Sequence, residues 1–125
     1  MKKPLIGVIL LFAVLIIGAI SLSPKETVPG KLDDFSKCLT EKKVKMWGAY
    51  WCPHCKNQKE EFGDSWEFVT YTECSLPGGS GQTKECKEAG IEGYPTWEFE
   101  DGERMSGEIP LEVLAEKSGC DLPSE

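Results

Sequence analysis

Cys52 and Cys55 are the residues whose type and spacing most directly indicate chemistry in this sequence. Two cysteines three positions apart on the first turn of a helix can form a disulfide with little backbone distortion. Unpaired amide groups and the helix dipole favour a thiolate at the first position, so we expect the pKa of Cys52 to lie below about 8.5. Thiolates attack disulfides and also leave more readily. The pair therefore predicts thiol–disulfide exchange, with Cys52 attacking and Cys55 resolving.

The neighbours of the two cysteines bear on the same chemistry. His54 lies between them, and we expect its ring to stabilise the thiolate further. Trp51 precedes them and either packs at the rim of the site or offers a flat surface to a partner. A zinc site would need two more ligands, but Cys74 and Cys86 are 12 residues apart and the chain has one histidine. We therefore predict no metal, and no cofactor beyond the redox-active disulfide.

The elements that must position this pair follow from the hydrophobic pattern along the chain. Helices are predicted at 32–42, 52–61, 82–89 and 110–119, and strands at 44–50, 68–72, 96–99 and 103–106. Asp101 and Gly102 indicate the hairpin between the last two strands. This order predicts an α/β fold with a central mixed sheet. The predicted core comprises Phe35, Val44, Met46, Trp66, Phe68, Trp97, Phe99, Val113 and Leu114.

The N-terminal segment differs in composition from the rest of the chain. Lys2 and Lys3 precede 19 residues, 4–22, that carry no charge. That length spans about 28 Å as a helix, close to the hydrocarbon thickness of a bilayer. We predict a single-pass transmembrane anchor at 1–22, with a cleaved signal peptide as the alternative. A linker at 23–30 and one domain at 31–125 follow.

The charge and the cysteine content of the chain indicate its compartment and limit the kinds of partner it can have. The two lysines hold the N-terminus in the cytoplasm, so the domain is predicted to lie outside the plasma membrane, in the periplasm. Beyond the anchor the chain has 12 basic residues against 21 acidic ones, a composition unsuited to nucleic acid. All six cysteines lie in the exported part, and this even count indicates disulfides.

Three motifs together resemble the thioredoxin-like superfamily. They are the Trp51–Cys55 segment after an apolar strand, the segment Gly93-Tyr94-Pro95-Thr96 before the next one, and the Asp101-Gly102 turn. The resemblance covers about residues 31–120 and implies a sheet of about four strands flanked by helices. It further implies a cis Pro95 facing the reactive disulfide, with Tyr94 beside it, where substrate backbone docks. One departure is Met46, which occupies the position of the buried acid of thioredoxins.

A more specific resemblance extends over several segments of the domain. Residues 48–55, 73–75, 86 and 90–97 are similar to the thioredoxin-like domain associated with bacterial vitamin K epoxide reductase homologues. The Pro-His dipeptide is also that of the DsbA family of disulfide oxidants. The resemblance implies electron transfer from folding proteins to a quinone-reducing membrane partner. It also supports a structural disulfide between Cys74 and Cys86, with a relay disulfide as the alternative. Cys38 and Cys120 then form a third disulfide or stay separate thiols.

Three functions follow as hypotheses from these observations. The leading one is oxidation or isomerisation of cysteines in exported proteins, with recycling by a membrane reductase of the vitamin K epoxide reductase type. The second is the reverse electron flow, as in an anchored thiol reductant of cytochrome c maturation. The third is a non-enzymatic binding or metal-carrier module of the same fold.

Overall fold

A computed structural model describes residues 30–124, in which four α-helices and two 3₁₀ helices surround a four-stranded sheet. The α-helices are Asp33–Glu41 (α1), Pro53–Phe62 (α2), Lys84–Glu88 (α3) and Leu111–Ser118 (α4). The strands are Lys45–Gly48 (β1), Thr70–Glu73 (β2), Thr96–Glu98 (β3) and Arg104–Ser106 (β4). The 3₁₀ helices are Gly63–Phe68 and Pro77–Gly79. The predicted order of α-helices and strands is confirmed.

The sheet is mixed, as predicted from the sequence. The strand order is β2-β1-β3-β4, with β1 parallel to β2 and antiparallel to β3. β3 and β4 form the antiparallel hairpin, in which Phe99 N donates to Glu103 O at 2.9 Å. Strand β1 therefore lies between two neighbouring strands. The residues that follow it lie near the middle of the sheet, at the end where β1 stops. Cys52 lies four residues after this strand ends.

Most of the predicted core is buried between the sheet and the helices. Phe35, Met46, Trp97 and Leu114 are among the largest fully buried side chains. Trp66, Phe68 and Val113 are only partly buried, and of these Trp66 and Val113 pack against the buried core. The 3₁₀ helix Gly63–Phe68 was not predicted. Because this helix extends to residue 68, β2 begins at Thr70 and not at residue 68 as predicted.

The structure has two disulfides, one between the two ends of the domain and one that closes a loop of 12 residues. Cys38 on α1 is bonded to Cys120, two residues after α4 ends, with a Cα–Cα distance of 5.9 Å. Gly119 allows this approach because it adopts a left-handed conformation (φ 72°) that ends α4. Cys74 is bonded to Cys86 on α3, with a Cα–Cα distance of 5.5 Å. The structure therefore pairs all the cysteines other than Cys52 and Cys55.

The predicted membrane segment 1–22 and most of the predicted linker lie outside the described residues. Within residues 30–124, no helix is both long and apolar enough to cross a bilayer. The predicted domain at 31–125 corresponds to the described part of the chain apart from its last residue.

Candidate active site

Cys52 occupies the N-terminal boundary of α2. A turn that follows β1 brings it there, with Cys52 N donating to Ala49 O at 3.1 Å. Its backbone is extended (φ −75°, ψ 121°), and Pro53 is the first residue of the helix. Proline is well suited to this position because its missing N–H would have no partner in the first turn. The Cys52 thiol thus lies beside the unpaired amides of a helix N-terminus, where negative charge is favoured.

Cys55 lies one turn further along α2 and is almost wholly buried. Its relative exposure is 1%, and both Cys52 and Cys55 are free thiols in this structure. Burial raises the pKa of Cys55 to about 12, an effect to which the neighbouring Cys52 adds; Lys59 and a backbone hydrogen bond with Ala49 oppose it. The Cys55 thiol therefore holds its proton at neutral pH, so any reaction that makes or uses its thiolate needs a proton route.

Tyr94 and Pro95, which come just before strand β3, lie next to the sulfur of Cys52. The Tyr94–Pro95 peptide bond is cis, and Pro95 is buried. The Cys52 thiol donates to the carbonyl oxygen of Tyr94, with the sulfur 3.6 Å from that oxygen. The sequence separates these residues by more than forty positions, and the fold brings them into contact. A peptide approaching the sulfur would meet this segment of backbone.

Trp51 forms the exposed edge of the site. Its relative exposure is 48%, and its ring meets that of Tyr94 edge-on with centroids 6.0 Å apart. The indole Nε1 donates to Ser75 Oγ at 2.8 Å. Gln82 Nε2 donates to the Tyr94 hydroxyl at 2.9 Å. The loop closed by the 74–86 disulfide therefore supports both aromatic residues. Ser75 belonged to the segment 73–75 that carries the family resemblance, whereas Gln82 carried no signal in the sequence.

His54 is directed to a residue that the sequence did not single out. Its side chain is 69% exposed, and its Nδ1 lies 2.8 Å from Glu108 Oε1. Asn57 Nδ2 donates to the same oxygen at 2.9 Å. The hydrogen bond from His54, followed by that from Asn57, lowers the pKa of Glu108. His54 is predicted to stabilise the Cys52 thiolate. In this structure its Nδ1 is paired with Glu108, an acidic residue 54 positions further along the chain.

Tyr71 and Glu73 lie on β2, beside the buried thiol. The Tyr71 hydroxyl donates to Glu73 Oε2 at 2.7 Å. Burial, reinforced by the hydrogen bond to Glu73, raises the pKa of Tyr71 far above its ordinary value. Glu73 belonged to the segment 73–75 that carries the family resemblance, whereas the sequence showed Tyr71 only as part of a strand. Among residues 30–124, no group of three or more His, Cys, Asp and Glu side chains is arranged to hold a metal ion.

Comparison with known proteins found similarity to a plant thiol-disulfide oxidoreductase. No protein-family model matches the chain. The chain is 44% identical over 91 residues to a protein of Arabidopsis thaliana named thiol-disulfide oxidoreductase LTO1. The match covers 70% of this chain and 24% of the relative, so the chain spans about a quarter of the relative's length. This similarity and the four-stranded mixed sheet flanked by helices support the assignment of the chain to the thioredoxin-like superfamily.

Proposed function

We propose that this protein is a thiol–disulfide oxidoreductase that oxidises or isomerises cysteines in exported proteins. The observation that carries the proposal is the placement of Cys52 at the N-terminus of α2, with its sulfur 3.6 Å from the Tyr94 carbonyl and Cys55 buried one turn behind. The name of the Arabidopsis relative supports the same reaction class. Cys52 and Cys55 are the reacting groups, and Trp51, Tyr94 and Pro95 form the surface that meets the substrate.

In the oxidising direction, the reaction begins with the Cys52–Cys55 disulfide. A substrate thiolate attacks Cys52 Sγ, the bond to Cys55 breaks, and Cys55 takes the electron pair and a proton. A second substrate cysteine then attacks the substrate sulfur of the mixed disulfide, and Cys52 leaves as a thiolate. The helix N-terminus favours that thiolate as a leaving group. The substrate gains a disulfide, and the protein is left with two thiols.

Reoxidation requires a partner that accepts two electrons. The resemblance to domains associated with vitamin K epoxide reductase homologues supports a quinone-linked membrane reductase in this role. The uncharged segment 4–22 supports a tether in the plasma membrane, with residues 30–124 on the extracytoplasmic side. A tether would keep Cys52 close to a membrane-embedded partner and raise its effective concentration there.

The reduction potential of the Cys52–Cys55 pair is the decisive test of this proposal. The purified full-length chain would be equilibrated with glutathione buffers, and the reduced fraction measured by thiol trapping. A value near about −120 mV would support a disulfide donor, whereas a value near about −270 mV would identify a reductant. The matched controls are Cys52→Ser, which removes the pair, and Cys74→Ser with Cys86→Ser, which leaves it in place.

A turnover measurement separates an enzyme from a binding module. We expect the oxidised chain to convert a reduced peptide with two cysteines into its disulfide form, and Cys52→Ser to be inactive. Stoichiometric zinc or copper binding without turnover would contradict the proposal and favour a metal carrier. Addition of a membrane reductase of the proposed type, with its quinone, should make the reaction catalytic.

A further inference from the structure

The buried thiol of Cys55 needs a path along which its proton can travel. Its pKa of about 12 means that thiolate formed at this position is a strong base inside the protein. Met46, which is fully buried on β1, occupies the position where thioredoxins carry an acid and cannot transfer a proton. On the neighbouring strand, Tyr71 lies opposite Met46 in the parallel register. The sheet thus brings a hydroxyl group to the same region from β2.

Tyr71 and Cys55 both lie against the backbone of Gly48. A Cβ atom placed on Gly48 would lie 2.9 Å from Cys55 Sγ, 2.9 Å from Tyr71 Cε2 and 3.3 Å from the Tyr71 hydroxyl oxygen. The thiol and the phenol therefore border the same small space, which stays open because residue 48 has no side chain. Any larger residue at this position would come between them.

Glu73 continues this path towards the solvent. Its Oε2 accepts a hydrogen bond from the Tyr71 hydroxyl at 2.7 Å, while Oε1 accepts hydrogen bonds from Ser75 N at 2.8 Å and Tyr50 N at 3.2 Å. These three hydrogen bonds fix the orientation of the carboxylate. Glu73 is only partly buried, so its side chain connects the covered phenol with water.

Charged and titratable groups surround the phenol on both sides. Lys59 Nζ from α2 lies 3.8 Å from the centre of the Tyr71 ring, and Glu73 accepts the Tyr71 hydroxyl. Cys55 and Cys52 also face the ring and disfavour its ionisation. Tyr71 therefore stays protonated over the pH range in which proteins are stable. It can pass its proton on only if it accepts another proton at the same time.

We propose that Tyr71 and Glu73, both on β2, form a proton relay between Cys55 and the solvent. This relay takes the place of the acid that thioredoxins carry on β1, where this chain has Met46. This inference rests on the proposed thiol–disulfide exchange. When substrate attack breaks the Cys52–Cys55 bond, Cys55 leaves with the electron pair. The Glu73 carboxylate takes from water the proton that the substrate thiol released on becoming a thiolate. It passes this proton to the Tyr71 oxygen as Tyr71 donates its own hydroxyl proton to Cys55 Sγ, so that Glu73 ends as a carboxylate again. The reverse transfer deprotonates Cys55 when it attacks a mixed disulfide.

The relay is tested with the full-length chain in single-turnover reactions followed by tryptophan fluorescence. The variants are Tyr71→Phe, which keeps the ring, and Glu73→Gln, which keeps an amide oxygen for the Ser75 and Tyr50 amides. We expect each variant to lower the rate of disulfide transfer at neutral pH by roughly 100-fold or more, the scale of general acid–base catalysis. Glu116→Gln on the exposed face of α4 is the matched control and should react at the wild-type rate.

A second series in a Cys55→Ser background separates proton transfer from structural damage. There, reduced Cys52 attacks a small disulfide and stops at the mixed disulfide, so no proton passes to or from residue 55. We expect Tyr71→Phe and Glu73→Gln to leave this rate unchanged within about twofold. An equal loss in both backgrounds, or wild-type rates for both variants with Cys55 present, would overturn the relay. Failure of the wild-type chain to exchange would instead overturn the proposed function.

Discussion

Gln58 Oε1 accepts a hydrogen bond from Trp97 Nε1 at 3.1 Å, in the interior between helix α2 and strand β3. The same oxygen accepts from Ile109 N at 2.7 Å, and Gln58 Nε2 donates to Ile109 O at 3.0 Å. Gln58 is fully buried, yet each end of its amide has partners. The helix that carries both reactive cysteines is therefore attached to the sheet and to the segment before α4 through one side chain.

Replacement of Gln58 should destabilise the domain without touching a reactive atom. Gln58→Leu leaves the Trp97 and Ile109 N–H groups buried without partners, so we expect the free energy of unfolding to fall by about 3 kcal/mol. Urea unfolding followed by circular dichroism would measure the change. Lys56→Leu, the same replacement at an exposed position on α2, should alter stability by less than about 0.5 kcal/mol. Equal effects at both positions would contradict this account of Gln58.

A side chain at Gly48 should disturb the region around the buried thiol. In Gly48→Ala the new Cβ would lie 2.9 Å from both Cys55 Sγ and Tyr71 Cε2, closer than side chains tolerate. We expect a loss of about 1–3 kcal/mol in unfolding free energy and slower disulfide exchange. Gly93→Ala is the stability control, because a Cβ there has nothing within 4 Å. A Gly48→Ala protein as stable as this control would refute the steric argument.

The reduced protein should lose stability in alkaline solution because of Cys55. Its pKa is about 12 in the folded chain and 9.0 in an unfolded one, so the folded state binds the proton more tightly between these values. The contribution of this protonated thiol to the free energy of unfolding is fully present below pH 9. It is lost as pH rises towards 12, with a slope of up to about 1.4 kcal/mol per pH unit. Comparing the alkaline unfolding of the reduced chain with Cys55→Ser isolates this effect.

The oxidised chain provides a second control for the alkaline experiment. A Cys52–Cys55 disulfide has no thiol to titrate, so its stability should fall less steeply above pH 9 than that of the reduced chain. Identical slopes for the oxidised chain, the reduced chain and Cys55→Ser would show that other groups dominate and that the pKa of Cys55 is not raised.

The two structural disulfides should contribute unequally to stability. The Cys38–Cys120 bond spans 82 residues, and the Cys74–Cys86 bond spans 12. On the chain-entropy model, closing these loops stabilises the folded state by about 4.5 and about 3 kcal/mol. Paired serine replacements, measured by chemical unfolding of otherwise oxidised protein, should therefore cost more at 38 and 120. The reverse order would show that the short loop contributes through its contacts around Trp51 and Tyr94.

Local sequence was sufficient to predict the α/β class with a mixed sheet and the placement of Cys52 and Cys55 at the start of a helix. Cys52 and Cys55 lie three residues apart, so their arrangement depends on the start of a single helix, which Pro53 indicates. Apolar stripes, runs of β-forming residues, and proline, glycine and hairpin signals likewise predicted every α-helix and strand, although strand β1 proved shorter than expected. These features depend on side chains within a few positions of one another. The 3₁₀ helix Gly63–Phe68 escaped prediction because it has no comparable periodicity.

Only the tertiary structure decided which distant groups surround the two cysteines. The register of β1 with β2 sets Tyr71 opposite Met46, and the absence of a side chain at Gly48 allows its ring to approach Cys55. Glu108 reaches His54 across 54 positions of sequence. Such contacts depend on strand order and loop placement, which no local pattern encodes. The sequence by itself determined the spacing of Cys52 and Cys55 at the start of a helix, and the packing of the sheet and loops determined which polar groups lie around them.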